Sequence, residues 1–311
     1  MKNILILGAN GFIGKNIIEN LLADDFNIVL AGIDLQLLPD SIISNKRVKL
    51  KQCRLNEINL IKSIIEKYDI EIVIHLVSTL IPTSSYNDFS RELSDIIQPT
   101  FELLNYLSKK NTTIIFFSSG GTIYGKAEEK IKENHKLEPI NFYGYSKLMI
   151  EDYIKLLSRT NKLKYIILRP SNVYGKYQRI VAQQGFIAVA IGRILTNKPI
   201  EVWGDGKAIR DYIYVKDVAE IVNKIIKSNL FNKTLNIGSG IGYNLLEIIE
   251  FLQKQFDKKI EVIFKDKRSV DLDKMILDIG KLKSIINFNP TEIENGIPQL
   301  IDHLSCQINE K

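Results

Sequence analysis

Near-continuous apolar runs alternate, through the first half of the chain, with stretches whose apolar positions recur every three or four residues. The runs at residues 4–7, 28–33, 48–50, 70–77, 113–117 and 164–169 predict strands. A parallel strand covered on both faces has such a run, whereas a half-exposed strand alternates. Between them, residues 12–22, 58–68, 91–109 (carrying Pro99) and 143–160 have the helical period, and residues 79–90 and 127–139 are polar connections. Strands and helices in this cadence imply right-handed βαβ units and a parallel sheet, an α/β doubly wound fold.

The pattern changes after Pro170. Residues 171–184 are loop-like, 186–195 helical, and 200–203 form a short strand before the turn Gly204-Asp-Gly206. Residues 210–215 alternate as a strand, 217–227 form a helix with Asp217 at its favourable end, and strands at 235–238 and 261–264 flank a helix at 245–255. There is no internal repeat, low-complexity tract or flexible linker. The expected organisation is a nucleotide-binding domain over residues 1–170 with a returning segment near 211–240, and a smaller, interleaved C-terminal substrate-binding domain over 171–311.

Composition narrows the partners. The 42 Lys and Arg against 36 Asp and Glu leave a net charge of +6, but the two signs are interleaved, where a nucleic-acid reader concentrates its basic residues. A modest positive balance suits an anionic small substrate. Cys53 and Cys306 match no metal or redox spacing, and His75, His135 and His303 form no ligand set, so a reducing compartment and no metal are expected. No run reaches membrane-span length, and the apolar stretch after Lys2 stops at Gly8, too short for a signal peptide. The expected location is the cytoplasm, without a membrane partner.

The chemistry begins at Gly8-Ala-Asn-Gly-Phe-Ile-Gly14, which follows the first strand and opens the first helix. Gly8 takes the tight turn, Gly11 lets backbone N–H groups approach a diphosphate, and Gly14 lets the helix lie close to the strand. The second strand ends at Asp34, where an acid accepts from both ribose hydroxyls of NAD and repels a 2′-phosphate. Ligands in such sheets bind beyond the C-terminal strand ends, here Gly8, Asp34, residues 75–79 and the turn from Ser118 to Gly125. A tyrosine four residues before a lysine on a helix lets the ammonium lower the phenol's pKa. Tyr106 with Lys110, Tyr143 with Lys147 and Tyr212 with Lys216 share this spacing, but only Tyr143 opens a helix after a strand ending in hydroxyls. Ser119 or Thr122 then supplies a second hydroxyl beside it.

With these motifs the chain resembles the extended short-chain dehydrogenase/reductases of the NAD-dependent epimerase/dehydratase family, nearest to the UDP-glucose 4-epimerase-like enzymes. The resemblance covers essentially the full length and adds Ser118-Ser-Gly-Gly-Thr-Ile-Tyr-Gly125, Tyr143-Gly-Tyr-Ser-Lys147, Arg169-Pro-Ser-Asn-Val-Tyr-Gly175 and Gly204-Asp-Gly-Lys-Ala-Ile-Arg-Asp-Tyr212. It implies a Rossmann-type fold and a bound NAD held by Gly8, Gly11, Phe12, Ile13, Gly14, Asp34, Leu76, Ser118, Tyr143 and Lys147. It also implies Tyr143 as acid/base, Lys147 on the nicotinamide ribose, and Ser119 or Thr122 as their partner. For a nucleotide-sugar substrate, UDP-linked in the first instance, it implies Asn172, Trp203, Arg210, Arg268 and Asp271, with Met275 limiting the room beside the sugar's carbon 2. A homodimer is expected through the helices at 91–109 and 143–160, with Leu103, Leu107, Ile150 and Leu157 as surplus apolar residues. Three positions depart from the pattern: Arg54 replaces an adenine-contacting Asp, Ile96 a common Asn, and Gly120 the usual catalytic hydroxyl. Gly121 and Thr122 stand where 4,6-dehydratases have Asp-Glu, which disfavours dehydration. The leading expectation is a UDP-hexose or UDP-N-acetylhexosamine 4-epimerase acting through a transient 4-keto sugar. The alternatives are an NAD(P)H-dependent keto-sugar nucleotide reductase, which favours a basic residue in place of Asp34, and a non-catalytic NAD-binding regulator.

Overall fold

The computed structural model describes residues 2–182, 184–267 and 272–309. Its strands are β1 (Lys2–Leu7), β2 (Phe26–Gly32), β3 (Val48–Gln52), β4 (Ile72–His75), β5 (Thr113–Phe117), β6 (Lys164–Pro170), β7 (Asn172–Tyr174), β8 (Ile200–Trp203), β9 (Ile209–Tyr214), β10 (Lys233–Ile237), β11 (Gly242–Asn244), β12 (Val262–Lys265) and β13 (Lys274–Met275). The helices are α1 (Phe12–Leu22), α2 (Asp40–Ile43), α3 (Ile58–Lys67), α4 (Tyr86–Glu92), α5 (Gln98–Leu107), α6 (Phe142–Asn161), α7 (Phe186–Leu195), α8 (Val215–Lys227), α9 (Leu245–Phe256), α10 (Gly280–Ile285) and α11 (Ile293–Asn309).

Seven parallel strands in the order β10-β6-β5-β4-β1-β2-β3 make the central sheet. The order reverses between β1 and β4, which opens the crevice where ligands of doubly wound sheets bind. The apolar runs are long because each strand is covered twice. Ile4 and Ile6 of β1, Ile115 and Phe117 of β5, and Ile166 and Leu168 of β6 pack with α1, α8 and α10. Their neighbours Leu5, Leu7, Ile114, Phe116 and Ile167 pack on the other face with α3, α5 and α6. After β9 the chain returns to the central sheet through α8, which lies against α1, and β10 at the sheet edge. A second layer forms around β9, which pairs with β7, β11 and β13, and a parallel β8–β12 pair. Its core is filled from α7, α9 and α11.

The helix expected at 91–109 starts earlier, at Tyr86. The Ser85 side chain accepts from the Asp88 backbone N–H while the Asp88 carboxylate accepts from the Ser85 backbone N–H, a capping box inside the expected loop. The helix then widens into a π-helical turn over Leu93–Ile97 before continuing as α5, where Pro99 sits in the first turn and needs no N–H partner. The surplus argument for the dimer fails on its named residues. Leu103, Leu107, Ile150 and Leu157 are buried in the sheet-facing core of the same chain, because α5 and α6 cover adjacent strands. Among the described residues no helix is long and apolar enough to cross a membrane, and no cluster of His, Cys, Asp and Glu forms a metal site.

Candidate active site

The glycine turn is built as a cradle. Gly8 has φ +83°, a conformation that L side chains rarely adopt, and a Cβ there would stand 3.3 Å from Leu76 and Val77 as the chain leaves β4. Gly11 caps α1 and donates its N–H to the Gly8 carbonyl at 3.1 Å. A Cβ at Gly14 would meet the Ala9 and Gly8 carbonyl oxygens at 2.7 and 2.8 Å. The first-turn N–H groups of α1, with Phe12 and Ile13, follow a turn whose Gly8 and Gly11 carry no side chain, which suits an anionic diphosphate. The Asn10 side chain donates to the Asp34 backbone carbonyl at 3.0 Å, tying the turn to the end of β2. Asp34 is exposed there, in a left-handed conformation. Arg54 is also exposed, and its backbone N–H is bonded by Glu57.

Tyr143 and Lys147 lie on the first two turns of α6, capped by the Asn141 side chain. Ser119 lies next to the Tyr143 hydroxyl and favours its ionised form. The lysine ammonium sits 5.7 Å from the Tyr143 ring centre and 5.2 Å from that of Phe116. Burial pushes Tyr143 up from its ordinary value, and the Ser119 hydroxyl pulls the other way. The expected lowering by the lysine is therefore not what the protein alone produces. Desolvation dominates, and it also brings Lys147 down to about 8.

Of the two candidate hydroxyls the structure brings Ser119 to Tyr143. Thr122 Oγ1 is buried without a hydrogen-bond partner. Gly120 has a packing cause: a Cβ there would stand 2.6 Å from Leu277 Cδ1 and 2.9 Å from the Arg169 carbonyl oxygen. A side chain is crowded out at that position, and Ser119 stands one residue earlier. Ser118, also buried, continues β5 through its N–H bond to Leu168 at 2.8 Å.

The other Tyr–Lys pairs separate cleanly. Tyr106 and Lys110 both bond Glu66 at the surface, and Tyr212 is buried on β9. Arg210 and Met275 are register partners across β9 and β13. Met275 is buried with Ile123, Tyr124, Ile131 and Leu277. A Cβ placed on Gly121 would lie 3.6 Å from Met275 Cε and 3.9 Å from Ser119 Oγ, so the methionine tip reaches the turn of residues 118–125. Trp203 ends β8 with 40% of its surface exposed. The Asn172 amide donates to the Asp211 carbonyl at 2.9 Å, linking β7 to β9. Arg268 and Asp271 lie outside the described residues.

Two buried groups were missed by sequence reasoning. His75, at the end of β4, bonds Thr100 Oγ1 at 3.0 Å, and burial with the nearby Lys147 charge lowers it to about 3, so it stays neutral. Glu92, at the end of α4, is 1% exposed. It accepts from Ser78 Oγ at 3.0 Å, from the Thr79 N–H at 3.0 Å and from Thr79 Oγ1. Only a polar residue inside a helical pattern marked it.

A doubly wound sheet, a glycine cradle at its switch point and a half-buried tyrosine with a buried lysine beside it define a dinucleotide-dependent α/β protein. Residues 4–238 match the model of the NAD dependent epimerase/dehydratase family, and the chain belongs to that family. It is 32% identical over 313 residues to dTDP-4-dehydro-6-deoxyglucose reductase of Escherichia coli, covering 98% of each chain. Among solved structures it is similar to UDP-glucose 4-epimerase of Thermotoga maritima with UDP-glucose, at 27% identity and TM-score 0.90, covering 98% of this chain and 99% of that one. It is also similar to the Thermus thermophilus UDP-glucose 4-epimerase complex with NAD, at 26% identity and TM-score 0.88, covering 97% and 98%.

Proposed function

We propose that the chain is a NAD-dependent UDP-hexose or UDP-N-acetylhexosamine 4-epimerase. The observation that carries this reading is Tyr143 beside Ser119 and Lys147 at the same end of the sheet as the glycine cradle, with Asp34 following β2. Asp34 favours NAD over NADP, since a carboxylate accepts from ribose hydroxyls and repels a 2′-phosphate. NAD, when bound, supplies a hydride acceptor and a positive ring charge. Gly8, Gly11, Phe12, Ile13 and Gly14 would hold its diphosphate, with Leu76 and Ser118 bordering the crevice. Tyr143 takes the proton from the sugar's 4-hydroxyl while Ser119 holds the same oxygen, and returns it once the keto sugar has turned its other face. The site lacks an Asp-Glu pair at Gly121 and Thr122, so nothing there drives loss of water. Arg210 suits the substrate diphosphate, which its planar fork can grip bidentately, and the half-exposed Trp203 suits the base.

Gly14→Val should weaken NAD binding about tenfold or more, ~1.4 kcal/mol, because a backbone carbonyl must shift to admit the side chain. Isothermal titration with NAD checks this; wild-type affinity would remove the cradle from the account. Met275→Tyr should lower activity on UDP-N-acetylglucosamine relative to UDP-glucose by about tenfold, since a slim, bendable thioether gives way to a rigid ring beside the turn after β5. An unchanged ratio would show that Met275 only packs.

The Escherichia coli relative favours a second reading, reduction of a 4-keto sugar nucleotide. A panel of UDP- and dTDP-linked sugars, with products resolved by NMR, separates the two. Epimers formed without added reductant support the epimerase, and stoichiometric NADPH oxidation supports the reductase. A homodimer forms part of the same reading, on the outer faces of α5 and α6, where Phe101 and Tyr153 stack at 4.2 Å and Leu156 stays exposed. A monomer by light scattering at micromolar concentration would overturn it.

A further inference from the structure

We propose that Glu92 is a positioning residue for the Tyr143–Lys147 pair: its buried carboxylate pins the exit of β4 and supplies the negative charge that Lys147 faces inside the protein. The inference rests on the reading of Tyr143 and Lys147 as the working pair. A carboxylate 1% exposed is stable only if hydrogen-bonded or paired with an opposite charge. Glu92 is bonded by Ser78 Oγ and by both the N–H and the hydroxyl of Thr79, so its position is fixed by the two residues that run past the site after β4. It stands where α4 passes into the π-helical turn, a distortion often found at functional sites.

Lys147 needs such a partner. Its ammonium is buried, lies over the Phe116 and Tyr143 rings, and among the described residues forms no ion pair within 4.0 Å. Phe89, one turn before Glu92, stacks on Phe142 at 5.1 Å and lies 5.9 Å from the Tyr145 ring, so the end of α4 packs on the first turns of α6 that carry Tyr143 and Lys147, while the Ser78 and Thr79 hydroxyls reach the carboxylate after β4. His75, from β4, stays neutral and faces the lysine instead. On its own helix the charged neighbours Arg91 and Asp95 are exposed and Asp88 is held by Ser85. Desolvation pulls Lys147 toward its neutral form, and the Glu92 charge opposes it. Removing that charge leaves a lysine that loses its proton near neutral pH. Burial is the main cause that raises Tyr143, and the Glu92 charge adds to it in the same direction.

The test is the titration of Lys147 itself, in protein labelled with 13C at lysine Cε, with the signal assigned by its loss in Lys147→Arg. The wild-type midpoint is expected at about 8, and Glu92→Gln, which keeps the size and an acceptor, should lower it by about one pH unit. Equal midpoints would overturn the proposal. If Glu92→Gln does not fold, Thr79→Val takes its place: it frees one side of the carboxylate and should displace the Lys147 signal at neutral pH. An unmoved signal overturns the proposal equally. No turnover is needed, so failure to epimerise any sugar nucleotide would sink the proposed activity and leave this result standing.

Discussion

Tyr143→Phe is expected to lower turnover on the preferred sugar nucleotide by about a hundredfold to ten-thousandfold, the usual range for loss of a general acid/base. The substitution deletes one hydroxyl and leaves the ring against Lys147 and the α6 N-terminus unchanged. NAD content and melting temperature should therefore stay at wild-type values, and KM should change less than kcat. Ser119→Ala should follow in the same direction with a smaller loss, because the tyrosine keeps its proton-transfer role but loses the neighbouring hydroxyl. Thr122→Ala is expected to be milder still. Wild-type turnover in Tyr143→Phe would remove the tyrosine from the chemistry, and a Thr122 effect larger than that of Ser119 would reverse the assignment of the hydroxyl.

The largest effect on stability is expected at Arg169. Its side chain is 1% exposed and grips the fully buried Glu151 through Nε at 2.9 Å and through Nη2. It also donates to Tyr124 and to the Glu133 carbonyl at 2.8 and 3.0 Å. Tyr124 passes the network to Asn236 on β10, so β6, α6, the turn after β5 and the sheet edge meet at one guanidinium. Burial alone would raise Glu151, but the Arg169 bonds and charge outweigh it and bring the carboxyl below its ordinary value. Arg169→Ala leaves that carboxylate with only the partly exposed Lys155, 3.0 Å from Oε2, as its ionic partner and should cost about 3 kcal/mol, the low end for a broken buried pair, on the order of 5–10 °C in Tm. The double variant Arg169→Met with Glu151→Leu should be milder than Arg169→Ala, because both members of the buried pair are gone and Lys155, which also loses its partner, reaches solvent. Denaturant titration of the three proteins checks this, and a double variant as destabilised as Arg169→Ala, or more so, would contradict it. Glu151 titrates lower in the folded chain, so its contribution is complete above the ordinary carboxylate range and fades as pH falls through the lower folded value.

The sheet was legible because burial on both faces leaves a plain trace. Runs such as Ile4 to Leu7 and Thr113 to Phe117 cannot be satisfied in a surface strand. The glycine turn was legible because φ and close approach restrict the residue type at Gly8 and Gly14. What escaped depends on tertiary partners. The start of α4 was hidden in a serine-rich loop, although Ser85 and Asp88 carry the capping signature. The strand β7 is three residues long and exists only because β9 lies beside it. At the C-terminus α11 carries an internal Pro298, which masks the recurrence of Ile293, Ile297, Leu300 and Leu304 on one face. In the site, the Tyr–Lys spacing named the pair but not its electrostatics, since desolvation is invisible in a sequence. Gly120 looked like a lost catalytic group until Leu277 and Arg169 were seen to fill the space of its side chain.

The central claim is a redox cycle in which C4 of one sugar gives up a hydride and receives the same one back on its other face. It is tested by incubating the purified protein with UDP-glucose and UDP-N-acetylglucosamine carrying deuterium at C4, in ordinary water without added reductant, and reading the products by NMR. The expected result is a mixture of 4-epimers that retains the deuterium at C4. Products that lose it to solvent, or no epimer from any sugar while NADPH reduces a 4-keto sugar nucleotide, would contradict the account.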